Sequence, residues 1–454
     1  MECEVIVVGA GIGGFTTAAL LAARGVDVCV FERQSQVGGC VANYEHLGYT
    51  FEPTCGLYSG WQVGGTWERI FSKLPLAPPG VEKLSPNYIV RLPEGRDLQV
   101  SSDPIAFETE IASAFTECAD AAIRFVREVT TGTGGAHVEA QLLSGTSQQF
   151  RWFIDAQLQT FAQCTSVNAG AKRVAEVMRL ATGELWSING GAQLLADRLA
   201  ESLKASGGSL RLNSPVLRLS YGTDGKPIGV DLLSGERVIA KRAIISNLTI
   251  WDTYGKLVGP SRTPREVTSE LKKLTAWGAY LMFLAIDESA IEKLPASRTL
   301  LLWDSDTEDY DPETQQLMLN LMNGPDSGAP AGKRALTAIA FTQPEEWFSF
   351  HEDHSWHEEK DQSVLESWWT KLHQRLPQLG DSVEVFETST PQSVYETTRR
   401  RLGMIGTPSP TDRLAVLRSP FPNLFLVGDT ASNGVGLEGV AQSASDLADL
   451  VAPF

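Results

Sequence analysis

The stretch from Glu4 to Glu32, EVIVVGAGIGGFTTAALLAARGVDVCVFE, decides the fold. It opens with Glu4 to Val8, a run rich in β-branched residues that is typical of a buried parallel strand. Phe15 to Arg24 predicts a helix that Gly25 caps at its C-terminus. Val26 to Glu32 predicts a second strand. A strand, a helix and a second strand within about 30 residues form a parallel crossover unit, so the sequence predicts an α/β chain.

The turn between the first strand and the helix carries glycines in the spacing GxGxxG. The first glycine allows a tight turn, the second lets a pyrophosphate approach the backbone, and the third lets helix and strand pack closely. The helix N-terminus presents free N–H groups and a positive dipole end to phosphates. A carboxylate 18 residues past the third glycine is placed to accept hydrogen bonds from ribose hydroxyls. The residues that this pattern predicts at a dinucleotide are Gly9, Gly11, Ile12, Gly13, Gly14 and Glu32.

Length, composition and net charge limit the classes of protein to which this chain can belong. A chain of 454 residues that is 43% hydrophobic has enough apolar material for two or three cores. Its formal net charge of −17 disfavours binding to nucleic acid and to anionic lipid head groups. The 6 cysteines include no Cys-x-x-Cys pair, which disfavours a disulfide framework or a structural zinc site and favours a cytoplasmic location.

One uncharged run, Val5 to Ala23, has the 19-residue length of a membrane span. Four glycines lie in its first half, however, and each glycine costs roughly 1 kcal/mol in a helix interior. The residues before it, Met1 to Glu4, are acidic, whereas a secretory signal begins with positive charge. The run is therefore predicted to be neither a span nor a signal peptide.

Elsewhere the patterns predict a mixture of helices and strands. Helices are predicted over 105–128, 170–182, Gln193–Ser206, the residues after Pro264, Asp361–Leu376 and Gly439–Val451. Strands are predicted over Leu210–Leu219, Gly229–Leu233, Arg237–Ser246, Ala279–Ile286 and Asn423–Gly428. The acidic, then Gly- and Pro-rich segment 304–332 is predicted to be a loop.

Three motifs outside the first unit carry a family resemblance. They are the glycine pair Gly38-Gly39, the stretch GYTFEPTCG at 48–56 and the stretch NLFLVGDTASNGVGLEGV at 423–440. With them the chain resembles the flavin amine oxidase and phytoene desaturase superfamily, above all its carotenoid desaturases, carotenoid cis–trans isomerases and retinol saturases. Further similar segments are Trp186–Leu194, Ser214–Val216 and Thr390–Gly406.

The resemblance implies non-covalently bound FAD. It implies that the last helix aims its N-terminus, at about Glu438-Gly439-Val440, toward the flavin, where negative charge gathers on reduction. Many relatives carry arginine after the glycine pair, and Cys40 stands there in this chain. Cys55 and Tyr58 are expected near the flavin or merely packed beside it. The further residues that the resemblance places at the cofactor are Arg33, Gly38, Gly39, Cys40, Val216, Gly428, Asp429, Gly436, Gly439 and Val440.

The function implied is that of an FAD-dependent oxidoreductase of the desaturase, cis–trans isomerase or saturase type. Its substrate is expected to be hydrophobic, an isoprenoid or polyene, and peripheral contact with a membrane is a hypothesis. The alternatives are a flavin amine oxidase and a non-catalytic prenyl- or lipid-binding protein of the same fold. The non-catalytic binding protein is disfavoured because proteins of that kind have degraded cofactor motifs, whereas the cofactor motifs of this chain are intact. The sequence identifies no catalytic base and does not predict the oligomeric state.

The expected architecture is a Rossmann-like FAD-binding domain of the glutathione reductase type with a second, α+β substrate domain. The first is assigned to 1–72, 184–256 and 388–454, the second to 73–183 and 257–387, and the active site to their junction. Aromatic residues of the second domain could line a tunnel, but ordinary core is the preferred interpretation for most of them. They are Trp152, Phe153, Trp277, Tyr280, Phe283 and Trp303.

Two clusters of polar residues could be taken for a metal site and an anion site, but both are interpreted as surface features. His351, His354 and His357 recur at three-residue spacing, but they lie among acidic residues without an HExxH pattern, so a solvated surface is preferred to a metal site. The run Arg399 to Arg401 is interpreted as a solvated or salt-bridged face rather than an anion site.

Overall fold

The structure is a computed structural model that describes residues 1–131, 143–322, 328–348, 354–409, 419–432 and 434–453. Its strands are β1 Glu2–Val8, β2 Val28–Phe31, β3 Tyr44–His46, β4 Tyr49–Phe51, β5 Val81–Lys83, β6 Tyr88–Arg91, β7 Asp97–Val100, β8 Trp186–Ile188, β9 Ser209–Arg211, β10 Val216–Tyr221, β11 Pro227–Leu232, β12 Arg237–Ser246, β13 Thr275–Asp287, β14 Arg298–Leu302, β15 Gln316–Leu321, β16 Lys333–Thr342, β17 Val383–Ser389, β18 Ile405–Ser409 and β19 Leu424–Leu426. Its α-helices are α1 Ile12–Ala23, α2 Thr66–Phe71, α3 Pro104–Ala114, α4 Ala119–Thr131, α5 Gln148–Ala162, α6 Ala171–Thr182, α7 Ala192–Ala205, α8 Ile250–Asp252, α9 Arg265–Leu271, α10 Pro312–Gln315, α11 His354–Arg375, α12 Pro391–Thr398 and α13 Gly436–Val451.

The first sheet is built around β1. In the described residues its order is β10-β11-β12-β1-β2-β9, with β19 paired to β12. The pairs β12–β1, β1–β2, β2–β9 and β12–β19 are parallel, so their carboxyl ends meet at one edge. Helix α1 leaves that edge and packs with α7 and α13 in one apolar core. This is the predicted α/β, Rossmann-like fold, and the uncharged run Val5 to Ala23 lies inside it.

The second sheet is mostly antiparallel. Its order is β17-β13-β16-β15-β14-β6-β7, with β18 paired to β13. Strand β13 is buried on both faces because its side chains alternate between two cores. Leu281 and Phe283 join helices α3 to α6 in one core, whereas Met282 and Leu284 join α11 in the other. A second, α+β region therefore accompanies the first sheet, as predicted.

Several sequence-based element predictions were wrong. The segment 304–332, predicted to be a loop, contains β15, because the apolar run QLMLNL pairs between β14 and β16. The single strand predicted over Leu210–Leu219 is two strands, β9 and β10, which Asn213 (φ 51°) and Pro215 separate. Helix α5 and the β3–β4 hairpin were not predicted.

The two sheets divide the chain close to the predicted domain boundaries, which remain predictions. Strand β17 begins in the predicted substrate domain and ends at Ser389, past the boundary at 387. Strand β18, from the segment assigned to the cofactor domain, pairs with β13 of the second sheet. In the part of the chain that the structure describes, no helix has both the length and the apolarity to cross a bilayer.

Candidate functional site

The glycine turn brings α1 very close to β1. Gly9 has a φ of 97°, which favours glycine, and its N–H donates to the Phe31 carbonyl at 2.9 Å. A Cβ on Gly14 would lie 2.5 Å from the Gly9 carbonyl oxygen, so a side chain there would push the helix off the strand. Gly11 is the N-cap of α1 and has an extended backbone. The turn thus leaves the first amides of the helix, which have no partner within the helix, facing the sheet edge.

Asn247 completes this turn and was missed by the sequence analysis. It follows β12, and its N–H donates to the Val8 carbonyl at 2.9 Å. Its Oδ1 accepts from the Gly14 N–H at 3.0 Å, and its Nδ2 lies 2.6 Å from the position of a Cβ on Gly11. One feature of the sequence could have identified Asn247: it directly follows a predicted strand. That strand pairs with β1 in parallel, so both strands end at the same sheet edge.

Glu32 lies at the end of β2, where its carboxylate is almost completely buried. Oε2 accepts from the Ala10 N–H and Oε1 from the Gln34 N–H, both at 2.8 Å. Each carboxylate oxygen can accept a second hydrogen bond, so acceptor sites remain for hydroxyl groups. The Glu32 carbonyl accepts from the Ser214 N–H at 2.8 Å, which brings the segment that leads into Val216 beside Glu32.

The second glycine pair covers the first glycine turn. The Gly38 N–H donates to the Ala10 carbonyl at 2.9 Å, and a Cβ on Gly39 would lie 3.5 Å from Gly11 Cα. Cys40 follows in a single 3₁₀ turn, Gly39–Val41, and burial raises the pKa of its thiol. The Arg33 guanidinium donates to the Thr397 carbonyl at 3.0 Å, and a contact of Arg33 with FAD stays a prediction.

The carboxyl-terminal motif meets the same turn. A Cβ on Gly13 would lie 3.0 Å from the Gly428 amide nitrogen and 3.1 Å from Val440 Cγ1. The N-termini of α1 and α13 therefore converge beside the end of β19. The predicted start of the last helix near Gly439 was wrong: α13 begins at Gly436, whose φ is 61°. Within this first turn, Gly439 packs directly against Gly434, and a Cβ on Gly439 would lie 2.3 Å from the Gly434 carbonyl carbon.

A buried polar network joins the GYTFEPTCG stretch to both sheets. Glu52 accepts from the Tyr58 hydroxyl, from the Ala192 N–H at 2.9 Å and from Asn320 Nδ2 at 3.0 Å. Ala192 begins α7, and Asn320 belongs to β15 of the second sheet. Burial, with the nearby Glu52 carboxylate, raises the pKa of Tyr58 well above its ordinary value. Glu52 thus connects the two regions through hydrogen bonds. The nearness of Cys55 and Tyr58 to a flavin remains a prediction.

The remaining candidates are the histidine cluster, the aromatic residues and the arginine run. His357 meets the Trp347 ring edge-on at 5.5 Å, while His351 and the side chain of His354 lie outside the described residues. Of the six aromatic residues considered for a tunnel, four are buried: Trp152, Phe153, Tyr280 and Phe283. The predicted salt-bridged character of the arginine run is confirmed at Arg400, which pairs with Asp429.

These groups fit FAD. The first turn of α1 carries no side chain at Gly11, Gly13 or Gly14, and its N-terminus supplies N–H donors and positive potential for a diphosphate. Glu32 supplies acceptors for the adenosine ribose. Of the predicted cofactor residues, the structure brings together Gly9, Gly11, Ile12, Gly13, Gly14, Glu32, Gly38, Gly39, Cys40, Gly428, Asp429 and Val440. Gly436 and Gly439 belong to the first turn of α13. The individual contacts of these residues with FAD remain predictions.

Comparison with protein families agrees with this geometry. Residues 7–74 match the NAD(P)-binding Rossmann-like domain, and residues 119–452, more than half of the chain, match the flavin containing amine oxidoreductases. The chain belongs to the flavin containing amine oxidoreductase family. This flavoprotein is an FAD-dependent oxidoreductase, as predicted.

The flavoprotein is similar to several known proteins. It is 25% identical to the chloroplastic prolycopene isomerase of Daucus carota, over 99% of this chain and 80% of that protein. It is 24% identical to the phytoene desaturase of Cercospora nicotianae, over 74% of this chain and 60% of that one. The crystal structure of an oxidoreductase from Methanosarcina mazei shares the fold, with a TM-score of 0.73, 20% identity, and coverage of 98% of this chain and 99% of that one.

Proposed function

We propose that this flavoprotein acts on a long hydrophobic polyene of isoprenoid origin and changes the configuration or saturation of its double bonds. The observation that carries the proposal is the extent of the similarity to the prolycopene isomerase, which covers 99% of this chain. It therefore includes the second-sheet region, where a substrate would lie, as well as the segments that hold the cofactor. A similarity confined to the cofactor segments would say nothing of the substrate.

The junction of the two regions has an apolar character that supports this proposal. The β3–β4 hairpin lays its rings on β13: Tyr44 stacks on Phe283 at 4.6 Å, and Phe51 lies 5.1 Å from Phe283. The same hairpin leads directly into Glu52 and the network that joins the sheets. The Phe51 and Phe283 rings are themselves buried and make the surroundings of the junction apolar, so a substrate bound beside them would be favoured if it were apolar rather than charged.

The chemistry divides between cofactor and protein. Bound FAD supplies hydride transfer and a store for two electrons. The first turn of α1 and the glycine pair at Gly38 would bind and orient its diphosphate, and Glu32 would orient its adenosine end. The N-terminus of α13 would stabilise negative charge on the reduced ring system. The buried network around Glu52 would hold the two regions together beside the cofactor.

The experiment is an anaerobic comparison of substrates. Purified protein with oxidised or chemically reduced FAD is mixed with poly-cis carotenes, with partly saturated carotenes and with primary amines, and the products are separated by chromatography. We expect conversion of a poly-cis carotene by the reduced protein, or bleaching of the oxidised flavin by a partly saturated carotene. Bleaching by amines alone would overturn the proposal in favour of an amine oxidase. Tight polyene binding without any turnover would overturn it in favour of a binding protein.

Peripheral membrane contact and a cytoplasmic location stay predictions that accompany this function. A polyene partitions into lipid, so its extraction would require the protein to touch a bilayer. Flotation with neutral liposomes tests the contact: protein that remains wholly at the bottom of the gradient would contradict it.

A further inference from the structure

Arg400 and Asp429 form a bidentate ion pair beside the glycine turns. Nη1 lies 3.2 Å from Oδ1 and Nη2 lies 2.7 Å from Oδ2. The Arg400 side chain is 14% exposed and that of Asp429 is 31% exposed, so the pair is largely removed from solvent. Nε of Arg400 donates to the Met404 carbonyl at 2.8 Å. The guanidinium is therefore fixed from two sides, and such paired geometry specifies orientation as well as charge.

The pair lies where three segments of the cofactor site meet. Asp429 directly follows Gly428, whose amide nitrogen adjoins the first turn of α1. Burial raises the pKa of the Cys40 thiol and the nearby Arg400 charge opposes that shift, so Arg400 lies close to the residue that follows the glycine pair covering Gly11. The backbone next to Arg400 is also anchored, because the Arg401 N–H donates to Asp252 Oδ2 at 2.9 Å. Arg400 thus reaches this place from a loop far from both glycine motifs in sequence.

The Asp429 carboxylate would repel a nearby diphosphate unless a positive charge such as that of Arg400 compensates it. The family resemblance implies that Asp429 lies at the hydroxyl-bearing chain and phosphates of FAD, yet an unpaired carboxylate near a diphosphate is repelled by it, most strongly where water is excluded. A guanidinium has five N–H donors, and the described hydrogen bonds of Arg400 use three of them. The pair is close to neutral and retains both acceptor and donor capacity.

We propose that Arg400 is a positioning residue of the FAD site. It holds the Asp429 carboxylate in one orientation and cancels its charge, so that the diphosphate and the hydroxyl-bearing chain of FAD bind next to each other. Arg400 acts through Asp429, and this role is independent of which substrate the protein uses.

A double-mutant cycle on FAD binding tests the proposal. The Kd of FAD is measured by fluorescence titration of deflavinated protein for wild type, Arg400→Gln, Asp429→Asn and the double variant, and the Tm of each apoprotein is recorded. Arg400→Gln alone is expected to weaken binding roughly tenfold or more, because it leaves a carboxylate uncompensated. In the Asp429→Asn background the same change is expected to weaken binding less than about threefold, because no charge remains to be cancelled.

Two further variants distinguish positioning from general stability. Arg24→Gln removes a guanidinium of similar burial that pairs with Asp449 at 2.5 Å at the far end of α1, and it is expected to lower Tm with an unchanged Kd. Arg400→Lys retains the charge but loses the bidentate geometry, so it is expected to weaken FAD binding by less than Arg400→Gln does. A wild-type Kd for Arg400→Gln, or an equal loss in both Asp429 backgrounds, would overturn the proposal. If Arg400→Gln does not fold, the cycle is run with Arg400→Lys, and an equal loss of affinity in the Asp429 and Asp429→Asn backgrounds would overturn the proposal.

Discussion

A Cβ atom on Gly13 would lie 3.0 Å from the amide nitrogen of Gly428, so the first turn of α1 touches the end of β19 where no side chain fits. This contact joins the two ends of a 454-residue chain. It places the N-terminus of α13 beside that of α1, and Val440 Cγ1 lies only 3.1 Å from the same Cβ position. The cofactor site therefore depends on the closure of this contact.

Gly13→Ala should weaken the contact between the first turn of α1 and the end of β19. Alanine is favoured over glycine in a helix by about 1 kcal/mol, but a Cβ forced against backbone costs roughly 1 to 3 kcal/mol, so the net effect is a loss of stability. We expect a lower urea midpoint and faster release of FAD. Gly255→Ala is the matched control, since a Cβ there meets nothing within 4 Å. An unchanged urea midpoint in Gly13→Ala would show that Gly428 moves freely away.

Gly11→Val should abolish FAD binding. The Cβ position on Gly11 is already 2.6 Å from Asn247 Nδ2, so valine would displace Asn247 and distort the turn that is predicted to hold the pyrophosphate. The purified variant should be colourless, with no flavin absorbance near 450 nm relative to protein. Retention of FAD at the wild-type ratio would count heavily against the assignment of this turn.

Asn247→Asp should separate stability from cofactor binding. The substitution preserves the shape and the acceptor for the Gly14 N–H, which lies at 3.0 Å. A negative charge at the N-terminus of α1 stabilises the helix by about 0.3 to 1 kcal/mol, yet it repels a diphosphate at the same place. We therefore expect an equal or higher Tm for the apoprotein and a Kd for FAD at least about tenfold weaker. Tighter FAD binding in this variant would place the diphosphate elsewhere.

The parts of the site that could be predicted from sequence are those whose geometry is local. The glycines at 9, 11 and 14 and the carboxylate at Glu32 belong to one strand–helix–strand unit, in which turn chemistry and spacing determine the positions. The fold of the first sheet follows from the same unit and from apolar strands that the pattern identifies directly.

The parts that escaped prediction depend on contacts between distant segments. Asn247 reaches Gly14 from another strand, Arg400 reaches Asp429 from a loop, and Glu52 reaches Asn320 in the other sheet. No spacing rule connects such pairs, because tertiary packing alone sets their distance. The strand β15 was missed for a related reason: its propensity is expressed only between β14 and β16, while its neighbours in sequence are typical of a loop.

Tyr254→Phe should stabilise the protein, most of all at high pH. Tyr254 lies in the π-helical turn Thr253–Val258, and in the described structure its buried hydroxyl has no hydrogen-bond partner. Burying an unpaired hydroxyl costs about 1 to 3 kcal/mol, so its removal should raise the free energy of unfolding by about 1 kcal/mol at neutral pH.

The pH dependence of the same variant has a definite sign. Burial raises the pKa of Tyr254 to about 12. Because an unfolded tyrosine titrates near 10, the unfolded state holds fewer protons than the folded state between about pH 10 and 12, and stability falls as pH rises through that window. The phenylalanine variant lacks this contribution, so its advantage over wild type should grow by up to about 1.4 kcal/mol per pH unit there. Urea unfolding at pH 8 and pH 11 measures the difference, with Tyr395→Phe, a half-buried tyrosine, as control. Equal slopes for wild type and Tyr254→Phe would show that water reaches this hydroxyl in the folded protein.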